Sequence, residues 1–508
     1  MSNEICKELE IIIDNLLTEI EDSLPSDSLI KFTIFTETLR VLDLHSIATN
    51  TDEITNSIIK MWWSLSTSFL FSGINAWGFP FSESTEQSFK YAFNLLYKLW
   101  TIVMLNRVID MVKANVVLIK KENNKFIFEK NKNIDINSQH LDRLMWIEYF
   151  ELKEELKDEK NKYFNQWERI DKENLEDFSN KEWMFYISCD FDYSKFYANN
   201  IEKSLLKQIS PWDSWKGIMI KYDSTPEIDK HYSLKALEIV NNWCEEAWFH
   251  DKLKIWNING WDIKLVILSI TSFHLKHTQS TLLAHKKYPE VLVRQTLTLF
   301  TKIEELINSI SMFYNIDKKI ITEALNAITL RPEDLNLLKK STSKFIPLLI
   351  DSGNGFLLRP ISSMEENPFF SVIDILTHRN PKFINDISSF REEWLRNNLY
   401  SIFAGNKYYN IDWNIKLKSL NNVCTDIDAV IFDRVTGNLA LFQIKWQDYH
   451  FNDVRKLRSR ACNLAEKLDS WALKVDNWIE ENWLLKLAQS IKLNLKKEKS
   501  INKVYLFW

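Results

Sequence analysis

Residues 425–433 read TDIDAVIFD, and after a short interval residues 439–446 read LALFQIKW. Both stretches are rich in the apolar and β-branched residues that favour β-strands. The residues between them include VTGN at 435–438, which has the composition of a turn. The sequence therefore predicts a β-hairpin near the end of the chain, and the rest of the domain is expected to pack around it.

Polar residues interrupt this hairpin at three places. Side chains alternate between the two faces of a strand, so Gln443 and Lys445 share a face of the second arm. If residues 436–437 form a two-residue turn, Asp428 pairs directly with Lys445 and Gln443 is its diagonal neighbour. The hairpin is then expected to bring an acid, an amide and an amine together.

These three groups suit chemistry at phosphate. A carboxylate such as Asp428 can hold Mg²⁺, which keeps several waters and also binds phosphate oxygens. The amide oxygen of Gln443 can complete such a ligand set. The ammonium of Lys445 can orient an attacking water or offset the charge that builds on a phosphoryl transition state.

An acid, a strand, a turn, a strand and then Gln-x-Lys resembles the PD-(D/E)xK nuclease superfamily, and Gln443-Ile444-Lys445 is similar to the variant in Mrr-type restriction endonucleases. The resemblance covers about the last 125 residues. It implies Asp428 as the main metal ligand, Gln443 as an accessory ligand and Lys445 as the catalytic cation. It also implies a DNA endonuclease that uses Mg²⁺ or Mn²⁺, in a setting of restriction or anti-phage defence.

The superfamily often takes a further acidic residue from the helix that precedes its sheet. Residues 383–403 have the pattern of an amphipathic helix, and Glu392 falls on its apolar stripe with Leu395 and Leu399. The resemblance implies an outer carboxylate at Glu392, with Glu393 as second choice. The alternative is a helix-edge glutamate that reaches solvent.

The neighbouring elements follow the family's α-β-β-β-α-β order. A strand is predicted over 407–419, the hairpin supplies the second and third strands, a long amphipathic helix follows from residue 454, and residues 501–508 form the last strand. Four basic residues crowd the start of that long helix, where they can hold phosphates or serve solubility alone. They are Arg455, Lys456, Arg458 and Arg460.

One departure from the family pattern affects the metal site. Gln443 stands where the commoner pattern has an acidic residue, which removes one negative charge. Affinity for Mg²⁺ is then expected to fall unless Glu392 or Asp426 compensates, and Asp426 lies on the same strand face as Asp428.

The fold class expected for the 508-residue chain is multidomain: a large, mainly α N-terminal region and a C-terminal α/β, restriction-endonuclease-like domain. Apolar periodicity and the scarcity of glycine predict helices through 1–340, with a possible division near 120–185. A hairpin and linker are expected over 341–380, and the nuclease-like domain over 381–508. The net charge is −5, but residues 384–508 carry 19 Lys and Arg against 15 Asp and Glu, which favours nucleic acid as the partner of that domain.

Other features of the sequence argue against a secreted, membrane-spanning or zinc-binding protein. The five cysteines are scattered without a CxxC pair, which indicates a reduced, cytoplasmic protein without a structural zinc. The N-terminus lacks the order of a signal peptide, and no apolar stretch reaches the ~20 residues of a membrane span. His274, His277 and His285 are predicted to be structural, because no further ligand completes a metal-binding spacing.

Three functions remain open from the sequence. The first is the metal-dependent nuclease, with the helical region as a sensor, an oligomerisation platform or a dock for a defence-system partner. The second is a catalytically inactive nuclease fold that binds nucleic acid or protein, which the glutamine at position 443 favours. The third is a helical interaction protein whose C-terminal sheet is only structural.

Overall fold

The structure, a computed structural model, describes most of the chain outside residues 132–199. The described residues are 2–47, 63–68, 70–71, 83–113, 115, 117–122, 125–131, 200–214, 217–335, 337, 346–411, 415–419, 422–445, 454–493 and 500–507, with side chains of the last helix described from residue 467. The chain divides into two compact units. One comprises Met1–Pro381 with Phe451–Val454, and the other comprises Lys382–His450 with Arg455–Trp508.

Helices make up most of the N-terminal unit, and two flank the sheet of the C-terminal unit. In chain order the described helices are α1 (Ser2–Ser23), α2 (Ser28–Ser46), α3 (Glu86–Lys113), α4 (Ile201–Gln208), α5 (Pro226–Ala247), α6 (Gly260–Lys287), α7 (Val293–Thr296), α8 (Ile303–Tyr314), α9 (Lys318–Ile328), α10 (Pro368–Arg379), α11 (Phe383–Ile402) and α12 (Val454–Ser490).

The strands are short and form several small sheets. They are β1 (Val117–Glu122), β2 (Lys125–Lys130), β3 (Ile209–Ser214), β4 (Gly217–Tyr222), β5 (Lys254–Ile255), β6 (Ile258–Asn259), β7 (Leu299–Lys302), β8 (Thr329–Leu330), β9 (Leu349–Asp351), β10 (Phe356–Arg359), β11 (Tyr408–Asn410), β12 (Ile415–Ser419), β13 (Asn422–Ile427), β14 (Ala429–Asp433), β15 (Asn438–Phe442) and β16 (Lys503–Phe507).

The N-terminal unit is built mainly from helices, as the apolar periodicity predicts, but it also contains a four-stranded sheet of which the sequence indicated only one hairpin. Its largest core is formed by α1, α2 and α3, whose buried residues include Leu9, Phe35 and Leu99. Strands β7, β10, β9 and β8 lie side by side in a four-stranded sheet. Strands β7 and β8 are four and two residues long, too short for a period-2 pattern to identify them.

The prediction of a hairpin and linker over 341–380 is wrong in its second part. The hairpin forms as β9 and β10, but it lies in the middle of the four-stranded sheet. After a 3₁₀ turn at Ile361–Met364, the chain enters α10, which begins at Pro368 with the side chain of Asn367 as its N-cap. Proline at the first helical position starts this helix instead of breaking the chain into a linker.

The C-terminal unit has a four-stranded mixed sheet with the order β11-β14-β15-β16. Strand β16 runs parallel to β15, and the other neighbours are antiparallel. Along the chain, α11 precedes these strands and α12 separates β15 from β16. A mixed sheet with helices before and between its strands gives this unit an α/β layout.

The single strand predicted over 407–419 is two strands in different sheets. Strand β11 pairs with β14 in the main sheet, whereas β12 pairs with β13 in a separate two-stranded ribbon. A bend at Asp428 separates β13 from β14, so the first predicted arm is also divided. Alternation continues through both halves of each stretch, and so the pattern alone does not reveal the break.

The register of the central hairpin differs from the predicted one by two residues. Val430 pairs with Leu441, which places Asp428 opposite Gln443 and not opposite Lys445. The loop contains four residues, because the Asp433 side chain accepts hydrogen bonds from the backbone N–H groups of Val435 and Thr436. A self-capping aspartate of this kind favours a longer turn than the two-residue one assumed from the sequence.

The two faces of the sheet are covered by the two helices. Ala429 and Ile431 of β14 form one small core with Tyr400 of α11. The alternate residues of β14 pack in another core with Trp471 and Val475 of α12. Each face of β14 is therefore apolar, as expected for a strand buried on both sides.

Candidate active site

The bend at Asp428 is held by the backbone on both sides. Its N–H donates to the carbonyl of Phe442 at 2.8 Å, and its carbonyl accepts from Arg396 Nη1 of α11 at 3.1 Å. The Asp428 side chain is only 5% exposed. A carboxylate in such a position needs hydrogen-bond donors around it, and the second arm of the hairpin supplies them.

Three donors converge on one oxygen of Asp428. Its Oδ2 accepts from Gln443 Nε2 at 2.7 Å and from the backbone N–H of Ile444 at 2.8 Å. The ammonium of Lys445 lies 3.4 Å from the same oxygen. All three donors come from the Gln-x-Lys stretch just after β15. The pairing of Ala429 with Phe442 places this stretch beside the bend at Asp428.

Gln443 has a polar atom without a partner. Its backbone N–H donates to the carbonyl of Phe507, which fixes the residue at the junction of β15 and β16. Its Oε1 is buried and has no hydrogen-bond partner. The bond from Nε2 to Asp428 sets the orientation of the amide, because a rotated amide would place two oxygens against each other. The amide that bonds Asp428 therefore keeps its acceptor oxygen buried and unpaired.

Glu392 faces the same site from α11. Its Oε1 lies 3.8 Å from Lys445 Nζ, and both side chains are a little over one-third exposed. Lys445 therefore lies within 4 Å of two carboxylates that belong to different elements. Glu393, the second choice from the sequence, is exposed to solvent.

The electrostatics of the two carboxylates are similar. Burial raises the pKa of Asp428, and the Lys445 ammonium opposes that shift. Burial also raises the pKa of Glu392, where Lys445 again lowers it and the charges of Asp428 and Asp426 raise it further. The charge of Asp428 therefore makes Glu392 harder to ionise, which is typical of acidic groups that share a functional site.

Asp426 lies close enough to Asp428 and Glu392 for its charge to act on both. Its charge raises the pKa of both Asp428 and Glu392, and its backbone carbonyl accepts from Trp471 Nε1 at 2.8 Å. It is thus close enough to add negative potential at the site. Residues 455–460 fall in the first turns of α12, but their side chains lie outside the described part of the chain.

Sequence reasoning did not identify Arg396 as part of the site. It holds the carbonyl of Asp428, and its charge lowers the pKa of Glu392. The signal was present in the spacing, because residues four apart on a helix lie on the same face. Any residue one turn beyond Glu392 was therefore a candidate for the same surface.

The donor set fits a hard cation that keeps part of its hydration shell. Carboxylates at Asp428 and Glu392 and the unpaired Oε1 of Gln443 are oxygen donors of the kind that Mg²⁺ prefers. No group of three or more His, Cys, Asp or Glu able to hold a metal is found among the described residues. The site therefore lacks the ligand count of an all-protein cage, which Mg²⁺ rarely uses.

Comparisons with protein-family models, with curated proteins and with solved structures gave no match to this chain. The interpretation of the site therefore depends on its residues and their geometry. Among the described helices, none has the length and apolar character needed to span a bilayer.

Proposed function

We propose that the C-terminal unit is a metal-dependent nuclease that hydrolyses phosphodiester bonds, with DNA as its substrate. The observation that supports this most directly is the convergence of Asp428, Gln443, Lys445 and Glu392 with an amide oxygen left unpaired. Such unpaired buried acceptors are uncommon in folded proteins and often mark a place for a ligand or an ion.

In this proposal Asp428, Gln443 Oε1 and Glu392 hold a Mg²⁺ or Mn²⁺ ion. The ion would act as a Lewis acid on the scissile phosphate and lower the pKa of a bound water. Asp428 is kept in position by the Gln443 amide and by the Ile444 N–H, so its carboxylate is oriented before the substrate binds. Preorganisation of this kind lowers the cost of assembling the site.

Lys445 is the cation that acts on the phosphate. In the absence of substrate its ammonium balances two carboxylates, at 3.4 Å and 3.8 Å. Its side chain remains more than one-third exposed, so the ammonium can also reach a phosphate that approaches from solvent. There it would orient the attacking water and offset the negative charge of the transition state.

DNA is favoured by the charge of the unit rather than by any contact. The excess of basic residues over 384–508 and the basic start of α12 suit a polyanion, with Arg455, Lys456, Arg458 and Arg460 as candidates for flanking phosphates. Contacts of this kind position a nucleic acid without reading its sequence.

A plasmid-cleavage assay with the full-length protein tests the proposal. Supercoiled plasmid should be nicked or linearised with Mg²⁺ or Mn²⁺, and EDTA should stop the reaction. Lys445→Ala and Asp428→Asn should each lower the rate by at least about a hundredfold, the loss expected when a group stabilising transition-state charge is removed. Lys503→Ala is the matched control, because Lys503 is an exposed lysine on β16 of the same unit.

Two results would reject the nuclease. Cleavage that survives in both Lys445→Ala and Asp428→Asn would come from another site or another protein. Metal-independent DNA binding without cleavage would favour a nuclease-fold binding module, and the small number of acidic groups at the site is the observation that keeps this second function open.

A further inference from the structure

The middle of α6 in the N-terminal unit buries an unusual number of polar side chains. Most of them have partners within the protein. His277, for example, bonds the carbonyl of Thr296 through Nε2 at 2.7 Å and the hydroxyl of Tyr222 through Nδ1 at 3.1 Å. His285 donates from Nδ1 to the carbonyl of Val291. These two histidines have the structural role that the sequence predicted.

His274 differs from both. It is fully buried, yet neither Nδ1 nor Nε2 has a hydrogen-bond partner. Thr271, one turn earlier on the same helix, also has a buried hydroxyl without a partner. A neutral imidazole carries one donor and one acceptor, so leaving both unpaired in the interior costs free energy.

Arg359 adds a charge to this region. It is the last residue of β10, it is 5% exposed, and its guanidinium lies over the ring of Phe273 at 5.4 Å. Neither Nε nor Nη2 has a hydrogen-bond partner. These two nitrogens form one edge of the guanidinium, and that edge binds the two oxygens of a carboxylate or phosphate side by side.

Arg359 lies over Phe273, the chain neighbour of His274, and is close enough for its charge to act on that imidazole. Burial lowers the pKa of Arg359 to about 10, and its positive charge contributes to the low pKa of both His274 and His277. Within the described residues no carboxylate bonds Arg359. Buried arginines are almost always paired, because an isolated charge in the interior is strongly destabilising. The natural partner of this group is an anion.

We propose that Arg359, His274 and Thr271 bind the phosphate group of a small molecule inside the N-terminal unit. The guanidinium edge takes two phosphate oxygens, and the imidazole and the hydroxyl are available to the others. On a carboxylate all of these donors would have to share two oxygens, whereas a phosphate has further oxygens, outside the plane of the guanidinium edge, for His274 and Thr271. The burial of all three side chains excludes a polymer, so this ligand is distinct from the nucleic acid proposed for the C-terminal unit.

Isothermal titration calorimetry and thermal unfolding of the full-length protein with inorganic phosphate test the proposal, with chloride added to keep ionic strength constant. Phosphate should bind saturably and raise the unfolding temperature, and acetate should do neither. Lys445→Ala should retain the response, because Lys445 belongs to the other unit. Acetate binding with equal affinity would overturn the assignment of phosphate, and no binding at all would overturn the site.

Variants of Arg359 make the test specific. Arg359→Met removes both charge-assisted hydrogen bonds, so phosphate affinity should fall at least about a hundredfold. Arg359→Lys keeps the charge but not the paired edge and should fall at least about tenfold. Arg331→Met is the control, because Arg331 is a partly exposed arginine of the same unit that already bonds Asn326. A full phosphate response in Arg359→Met would refute the proposal.

Stability without phosphate gives a second readout. Replacing an unpaired buried charge with an apolar side chain of similar length should leave the protein as stable as before or make it more stable. A lower unfolding temperature for Arg359→Met in phosphate-free buffer would mean that the guanidinium is already paired within the protein. That result would also overturn the anion site.

Discussion

The substitution Gln443→Glu tests the electrostatics of the candidate active site directly. It restores the acidic residue of the commoner nuclease pattern at almost unchanged volume. It also replaces the amide that donates to Asp428 Oδ2 at 2.7 Å with a second carboxylate. Without a cation the variant should be less stable than the wild type, and with a cation most of that loss should be recovered.

The expected size of the effect follows from two contributions. A hydrogen bond to a charged acceptor contributes about 1.5–3 kcal/mol, and this bond is lost. Two like charges about 4 Å apart repel by a few kcal/mol at the effective dielectric of a protein surface. Part of this is relieved because the new carboxyl group takes up a proton, so we expect a loss on the order of 3 kcal/mol at pH 8.

The pH dependence of that loss has a definite sign. The new glutamate has a folded-state pKa above its unfolded value, so the folded variant binds the extra proton and its stability falls as pH rises. Near pH 5 the protonated carboxyl can donate to Asp428 as the amide does, and the loss should nearly vanish. At about 100 times the dissociation constant, Mg²⁺ should add about 2.7 kcal/mol of stability at pH 8.

Urea unfolding followed by tryptophan fluorescence, at pH 5 and pH 8 and with Mg²⁺ or EDTA, measures these differences. Gln489→Glu is the matched control, because it makes the same chemical change at an exposed position on α12. If Gln443→Glu is as stable as the wild type at pH 8, or gains no more from Mg²⁺ than the wild type does, the described geometry of this site is wrong.

Three further substitutions or conditions have expected outcomes. In urea unfolding, Asp43→Asn should stabilise the protein by about 3 kcal/mol at pH 8 and hardly at pH 4. Burial raises the pKa of Asp43 to about 6, so the wild type loses stability as the pH rises from the ordinary aspartate pKa through this value. As the pH is lowered, plasmid cleavage should begin to decline above the pKa range of ordinary carboxylates. Asp428 and Glu392 both have raised pKa values and must ionise to hold a cation. A cleavage rate that is flat down to pH 4 would contradict this. Gly437→Ala should cost about 1–3 kcal/mol by calorimetry, because Gly437 has a φ of 73° and an added Cβ would lie 2.5 Å from the carbonyl of Ser500.

The sequence predicted the elements of the C-terminal unit better than their pairing. Hydrophobic periodicity identified α11, the central hairpin, α12 and the last strand, because each contributes an apolar stripe or face to a core of this unit. It did not reveal that residues 407–419 divide between two sheets, since alternation is the same whichever neighbour a strand pairs with. Pairing is decided by contacts distant in the chain, which a local pattern does not contain.

The predicted grouping at Asp428 is correct although the predicted register is not, because the two registers differ by an even number of residues. Shifting an antiparallel pair by two keeps every side chain on its face, whereas a shift by one exchanges the faces. The acid, the amide and the amine therefore meet as expected, although Asp428 lies opposite Gln443 and not opposite Lys445. The neighbouring Arg396 was not predicted, because it acts through the backbone carbonyl of Asp428 and a basic residue does not fit the pattern of a metal ligand.

The unpaired polar atoms at the two proposed sites differ in kind, and that difference points to ligands of opposite charge. At the candidate active site the unpaired atom is Gln443 Oε1, an acceptor on the amide that bonds Asp428, which only a donor or a cation can satisfy. In the N-terminal unit, Arg359 Nε and Nη2 can only donate, and His274 carries at least one more donor. Unpaired donors around a buried positive charge destabilise the protein until an anion is present. An unpaired acceptor among negative charges does the same until a cation is present. Both proposals therefore make the same prediction. At each site, adding the ion that the site binds should stabilise the protein more than removing the unpaired groups by mutation does.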